Sequence, residues 1–226
     1  MNKITWRSAL GEILIVIIGI TIAISMNKCA EDNRNNVLKT QYLESLQSDI
    51  ESDRLQLQEN VTRLKTKLKA IDSIVRYLNI EPEGRSIIGR RLFEVSTLVE
   101  FIPKDVTYST LINSGDMKLL NDLSLKTSIE EHYSKNYKKL SRDYKRMENI
   151  HQKYLADYYI DYINYDDTIE GGLDFQNKKR LGNILYSMQG AIYIKIVVTD
   201  ESIESCDATL NEITKVLEEN STMSLY

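Results

Sequence analysis

The 226-residue chain carries 29 basic and 33 acidic residues, with the basic ones scattered rather than gathered into a stripe, so nucleic acid is not an expected partner. Two prolines and nine glycines are too few for the many turns of an all-β fold and favour long helices. The two cysteines, Cys29 and Cys206, permit at most one bridge and fit neither a disulfide framework nor a four-ligand zinc site.

In chain order, residues 1–8 read as a short cytoplasmic stub, 9–27 as a transmembrane helix and 28–226 as a helical-bundle domain. Between Ala9 and Met26 the only charge is Glu12, and such a stretch is long enough to cross a bilayer. Lys3 and Arg7 with Ala23-Ile24-Ser25 leave a cleaved secretory signal as the alternative. Lys28 before Cys29 replaces the small residue that a lipidation signal wants. Positive charges lie on both sides of the span, at Lys3 and Arg7 and at Lys28, Arg34 and Lys39, so counting them does not fix topology. An uncleaved signal-anchor with the stub inside is the simplest insertion route. Helical spacing sets Glu12, Val16, Gly19 and Ala23 on one face, where a small-xxx-small pair allows another membrane helix to approach and meet the carboxylate.

Gly11-Glu12-Ile13 through Ile17-Ile18-Gly19-Ile20, followed by Ala23, Asn27, Glu31 and Asp32, resembles an uncharacterised bacterial family of single-pass membrane proteins with a helical extracytoplasmic domain. Residues 9 to 35 carry the resemblance most specifically, and Tyr108 to Leu120 more loosely. Cys29 stands where that family has an aromatic residue. The resemblance implies a bacterial inner-membrane location with the N-terminus cytoplasmic and the large domain periplasmic. It implies no activity.

Beyond Glu31, Leu43, Ile50, Leu57, Leu64, Ile71 and Leu78 recur every seven residues in a helix expected to reach about Asn79. A second row is mixed, with Leu46 and Ile74 apolar but Asp53 and Asn60 polar, which suggests bundle packing against more than one neighbour. Pro82 and Gly84 stop this helix. Short helices are expected near Ser86 to Glu100 and Val106 to Ser114, with Phe93, Phe101, Tyr108 and Met117 forming a cap. From Leu123 to Tyr165 a long helix places Tyr133, Tyr137, Tyr144, His151, Tyr154, Tyr158 and Tyr162 on one face. Buried tyrosines with hydroxyls at the bundle edge are the ordinary reading of such a face. A ligand or partner face at Tyr144, His151 and Tyr158 is the sharper one. Asp166, Asp167, Gly171 and Gly172 mark a turn without calcium-loop spacing. A last helix from Gln176 to Glu219 repeats the apolar pattern through Leu181, Leu185, Met188, Ile192, Cys206 and Ile213. The expected fold is all-α: one membrane helix, then an elongated antiparallel bundle of three long helices with short connecting ones.

His132 and His151 are the only histidines and neither has a second histidine one turn away, so no metal site, cofactor or catalytic residue is assigned. The expected function is that of a membrane-anchored scaffold or interaction protein of the cell envelope, with the lipid bilayer and a second copy or another envelope membrane protein as partners. The alternative is an extracytoplasmic ligand-sensing bundle acting through a separate output partner. A proton-handling role for Glu12 in an ion-driven complex is a third reading.

Overall fold

The computed structural model describes residues 6–80, 83–165 and 173–223. Five helices account for nearly all of it: α1 (Trp6–Tyr77), α2 (Glu83–Ser96), α3 (Val106–Ser114), α4 (residues 123–161) and α5 (Lys178–Met223). A 3-10 turn at Asp116–Leu119 joins α3 to α4, and a short antiparallel hairpin joins α4 to α5. Its strands are β1 (Ile163–Tyr165) and β2 (Leu173–Phe175), with Ile163 opposite Phe175.

The apolar row of α1 does what its spacing demands. Leu43, Ile50, Leu57, Leu64 and Ile71 are fully buried, and α5 runs antiparallel along them, with Gln47 bonded to Thr214, Arg54 to Asp207 and Asp72 to Gln189. Two hydrophobic clusters result. One joins Leu43 to Leu57 with α3, the first half of α4 and the second half of α5. The other joins Leu64 to Leu78 with α2, the hairpin and the first half of α5.

Four boundaries and packing details differ from the sequence expectation. Helix α2 spans Glu83–Ser96 rather than Ser86 to Glu100, leaving residues 97–100 outside the helix. Helix α4 ends at Asp161 rather than Tyr165, because Tyr162 leaves helical geometry and its carbonyl accepts from Gln176 N–H to start the hairpin. Phe93 is 75 % exposed, while Phe101, Tyr108 and Met117 do pack on the core. Tyr154 is also exposed and Leu155 takes the core position. The cause is a π-turn at His151–Leu155, which holds more residues per turn and so shifts the phase of the buried face. A second π-turn spans Glu131–Asn136. The expected stop at Pro82 and the turn at Asp166, Asp167, Gly171 and Gly172 lie outside the described residues. On the far side of that stop, a Cβ added at Gly84 would run into the Tyr77 carbonyl, so glycine is what allows α2 to fold back against the end of α1.

Helix α3 closes on Gly115, which adopts φ 73° and donates to Ile112 and Leu111 carbonyls. An L side chain pays about 1–2 kcal/mol in that conformation. Gly115→Ala is therefore expected to lower unfolding stability by about that amount, read from denaturant midpoints; an unchanged midpoint would show that the turn does not limit stability.

Candidate functional site

The polar residues of α1 explain themselves once the chain between α2 and α4 is seen. Leu46, Asp53, Asn60, Lys67 and Ile74 form one heptad row, and all are buried, the three polar members only 1 %, 2 % and 3 % exposed. Each polar member holds backbone of one extended segment. Lys67 Nζ donates to the carbonyls of Glu94, Val95 and Thr97. Asn60 Nδ2 donates to Glu100 O at 2.8 Å. Both Asp53 carboxylate oxygens accept from Lys104 N–H, at 3.0 and 3.1 Å. Arg63 adds Leu98 O at 3.2 Å, and Lys195 of α5 adds Val99 O at 2.6 Å. A strap over residues 97–104 is thus fastened to the bundle by its main chain. Lys67 also places a cation at the C-terminal carbonyls of α2, where the helix dipole favours one.

Behind the strap the polar groups link into two networks. Tyr144 Oη lies 3.3 Å from Asn60 Nδ2 and 3.1 Å from Thr199 Oγ1, and Lys195 Nζ sits 3.5 Å over the Tyr144 ring. Burial, opposed only in part by Glu100 and Glu148, pushes the Lys195 ammonium down to about 7. Burial likewise pushes Lys67 down to about 8, with Arg63 adding to the effect. The second network starts at Asp53, which accepts from Tyr137 O–H. Tyr137 Oη in turn lies 2.9 Å from His132 Nε2, and His132 Nδ1 lies 2.9 Å from Ser205 Oγ. With Tyr137 donating to Asp53, the consistent arrangement has His132 donating from Nε2 and accepting from Ser205 at Nδ1. Burial pushes His132 down to about 4, so it is neutral at neutral pH. Burial raises Asp53 and Tyr137. His132 is fully buried, so this row of hydrogen bonds ties α1, α4 and α5 together instead of facing solvent.

Two clefts of about 510 Å³ each flank the strap. One is walled by Tyr108, Tyr133 and Tyr137 with Lys138, Arg142 and Lys145 at its rim; Tyr108 and Tyr133 stack at 4.6 Å. The other is walled by strap residues 98–102, Tyr144, Glu148 and Lys195.

The sequence-assigned residues fall as follows. Tyr144 reaches the second cleft, but His151 and Tyr158 do not line it. Tyr158 is fully buried in the other core cluster and donates to Gln176 O. His151 opens the π-turn at His151–Leu155, its Nε2 buried without a partner, and burial together with the Lys67 charge lowers its basicity. Glu12, Val16, Gly19 and Ala23 are exposed along α1, and a Cβ on Gly19 would meet nothing within 4 Å. Cys206 is a buried free thiol and Cys29 an exposed one. The basic residues are not scattered on α4: Lys138, Arg142, Lys145, Arg146 and Lys153 are all exposed there, close to helical spacing. Counting charge over the whole chain hid that face, and the i, i+4, i+7, i+8 pattern from Lys138 to Arg146 was the signal for it.

The sequence matches a family of unknown function, DUF6090, over residues 12–177. No curated protein and no solved structure matches the chain.

Proposed function

The chain belongs to DUF6090, and from that premise we propose that it is a membrane-anchored helical scaffold or interaction protein of the bacterial cell envelope. The observation that carries this reading is the continuity of α1. One unbroken helix of 72 residues begins as a fully exposed apolar segment with mean hydropathy 2.1 and continues as the central helix of the bundle. Exposed isoleucines from Ile13 to Ile24 are costly in water and favourable in hydrocarbon. In this reading residues 9–27 cross the inner membrane, residues 1–8 are cytoplasmic and 28–226 periplasmic. Glu12, Val16, Gly19 and Ala23 then meet a second copy or another envelope membrane protein. The clefts beside the strap favour a second reading, a ligand-sensing bundle that signals through such a partner, because Tyr144 and Lys195 sit at one of them.

The two thiols test the topology directly. Cys29 lies exposed just beyond the span and Cys206 is buried, its basicity pushed up to about 12 by burial. The expected result is that the protein stays in the membrane pellet after alkaline carbonate and that Cys29 of the full chain in spheroplasts reacts with an impermeant maleimide, while Cys206 does not. Release by carbonate, or labelling only after lysis, would reject the anchored periplasmic arrangement. In-membrane crosslinking from positions 16, 19 and 23 then checks the partner face.

A further inference from the structure

We propose that the groove between α4 and α5 is a docking site for an acidic amphipathic helix of a partner protein. This names the partner chemistry for the interaction reading and rests on it. The groove holds a cavity of about 850 Å³ between the two helices, and a second of about 550 Å³, lined by α4 alone, adjoins it at Arg146, Ile150 and Tyr154. Its floor is apolar: Ile150, Ile184, Ala191 and Ile194 line it. Tyr154 and Tyr186 stand at its edges, 49 % and 57 % exposed.

The charged residues that line it are of one sign. Arg142, Lys145, Arg146, Lys153, Lys179 and Arg180 border the groove, and no aspartate or glutamate lines either cavity among the described residues. This occurs in a chain whose net charge is −4. Arg142 lies 3.9 Å from Asp143 and Arg180 stacks over Tyr162. Lys145, Arg146, Lys153 and Lys179 have no ion-pair partner among the described residues. Like charges in a row repel one another, and a low-dielectric floor beneath them focuses their field. What such a surface complements is a ligand with an apolar face flanked by carboxylates.

Shape selects a helix. Along α5 the lining runs from Lys179 to Ile194, roughly 22 Å at the helical rise. That matches about 15 residues of helix laid into a trough with apolar anchors at i, i+3, i+4 and i+7. A second copy of this chain fits poorly. Two copies anchored in one bilayer run parallel, so a symmetric contact here would set Lys179 and Arg146 against their own counterparts, a like-charge clash that disfavours self-pairing.

The test uses the full chain in nanodiscs of neutral phosphatidylcholine and a fluorescent peptide of about 15 residues, leucines on one helical face and glutamates flanking it. Controls are a scrambled peptide of the same composition and vesicles containing phosphatidylglycerol. The expected result is saturable binding at least about tenfold tighter than the scrambled peptide, weakened by salt. The double variant Arg146→Glu and Lys179→Glu is expected to lose about tenfold or more while its thermal midpoint is unchanged. If that variant unfolds, Tyr186→Ser with Ile194→Ser replaces it, with the same loss expected. Equal binding of scrambled and amphipathic peptides, or preference for anionic vesicles over the peptide, would overturn the proposal. So would tighter peptide binding after Asp166→Asn, Asp167→Asn and Glu170→Gln, since the occupant would then be the chain's own acidic segment. The interaction reading fails separately, when crosslinks from positions 16, 19 and 23 yield no partner even with the groove intact.

Discussion

Replacing Lys67 with methionine is expected to destabilise the bundle more than any other single change at the strap. Methionine keeps most of the side-chain volume but removes the ammonium that donates to the carbonyls of Glu94, Val95 and Thr97, of which Glu94 O still accepts from Thr97 Oγ1 while the buried Val95 O loses that donor. Leaving buried acceptors unpaired costs about 1–3 kcal/mol each, offset in part because the buried cation no longer has to be desolvated. A net loss of about 3 kcal/mol is expected, measured as a fall in the denaturant midpoint of the full chain. Amide hydrogen exchange should rise first at residues 94–104, since that segment has lost its fastening. A midpoint within about 0.5 kcal/mol of the parent, the range of ordinary surface changes, would show that the strap is held by packing alone.

The second large effect is a rise in stability between neutral and alkaline pH. Burial holds Lys195 at about 7 and Lys67 at about 8 in the folded chain, against 10.5 for a free lysine. The unfolded chain therefore binds more protons than the folded one throughout that window, and stability grows as pH rises. Because the Lys67 charge is itself one cause of the Lys195 shift, the two lysines act together, with an effect on the order of a few kcal/mol. Above about pH 10 the raised tyrosines Tyr133 and Tyr137 oppose it, because the unfolded phenols ionise first. His132, lowered to about 4 by burial, contributes the same sign in a lower window, between about 4 and its free value of 6.5. Urea midpoints of the parent chain at pH 7 and pH 9.5 should separate clearly, and those of Lys195→Met should separate less. Parallel curves for the two proteins would mean that Lys195 keeps its charge at the same pH in both states.

The strap shows where reading a sequence stops. The row Leu46, Asp53, Asn60, Lys67, Ile74 is visible in heptad register, and its apolar companions at 43, 50, 57, 64 and 71 were enough to place α1 in the core. What the polar members hold of the strap is main chain, and backbone N–H and C=O groups carry no residue identity that a pattern can register. The helical ends near α3 and α5 were legible for the opposite reason: Gly115 and the apolar repeat through Leu181 and Leu185 are properties of single residues. The hairpin was not, since Tyr154, Tyr158 and Tyr162 continue a helical spacing up to the point where Tyr162 turns away. The two π-turns were equally silent in composition, although successive four-residue steps, from Ile129 to Tyr133 to Tyr137 and from Met147 to His151 to Leu155, are steps that a wider turn brings onto one face. For the docking groove, half of the signal lay on α4 alone and the other half needed α5 beside it.

The unbroken course of α1 also fixes a bearing. Because α1 continues as one helix from the apolar segment into the bundle, Gly19 and Ala23 keep a fixed bearing relative to Leu43 and Ile50. In the anchored reading, the direction in which the small-residue face meets a neighbour in the bilayer is therefore set by the orientation of the bundle above it. With no joint between the two parts, turning the bundle by some angle turns that face by the same angle, as a key turns its bit.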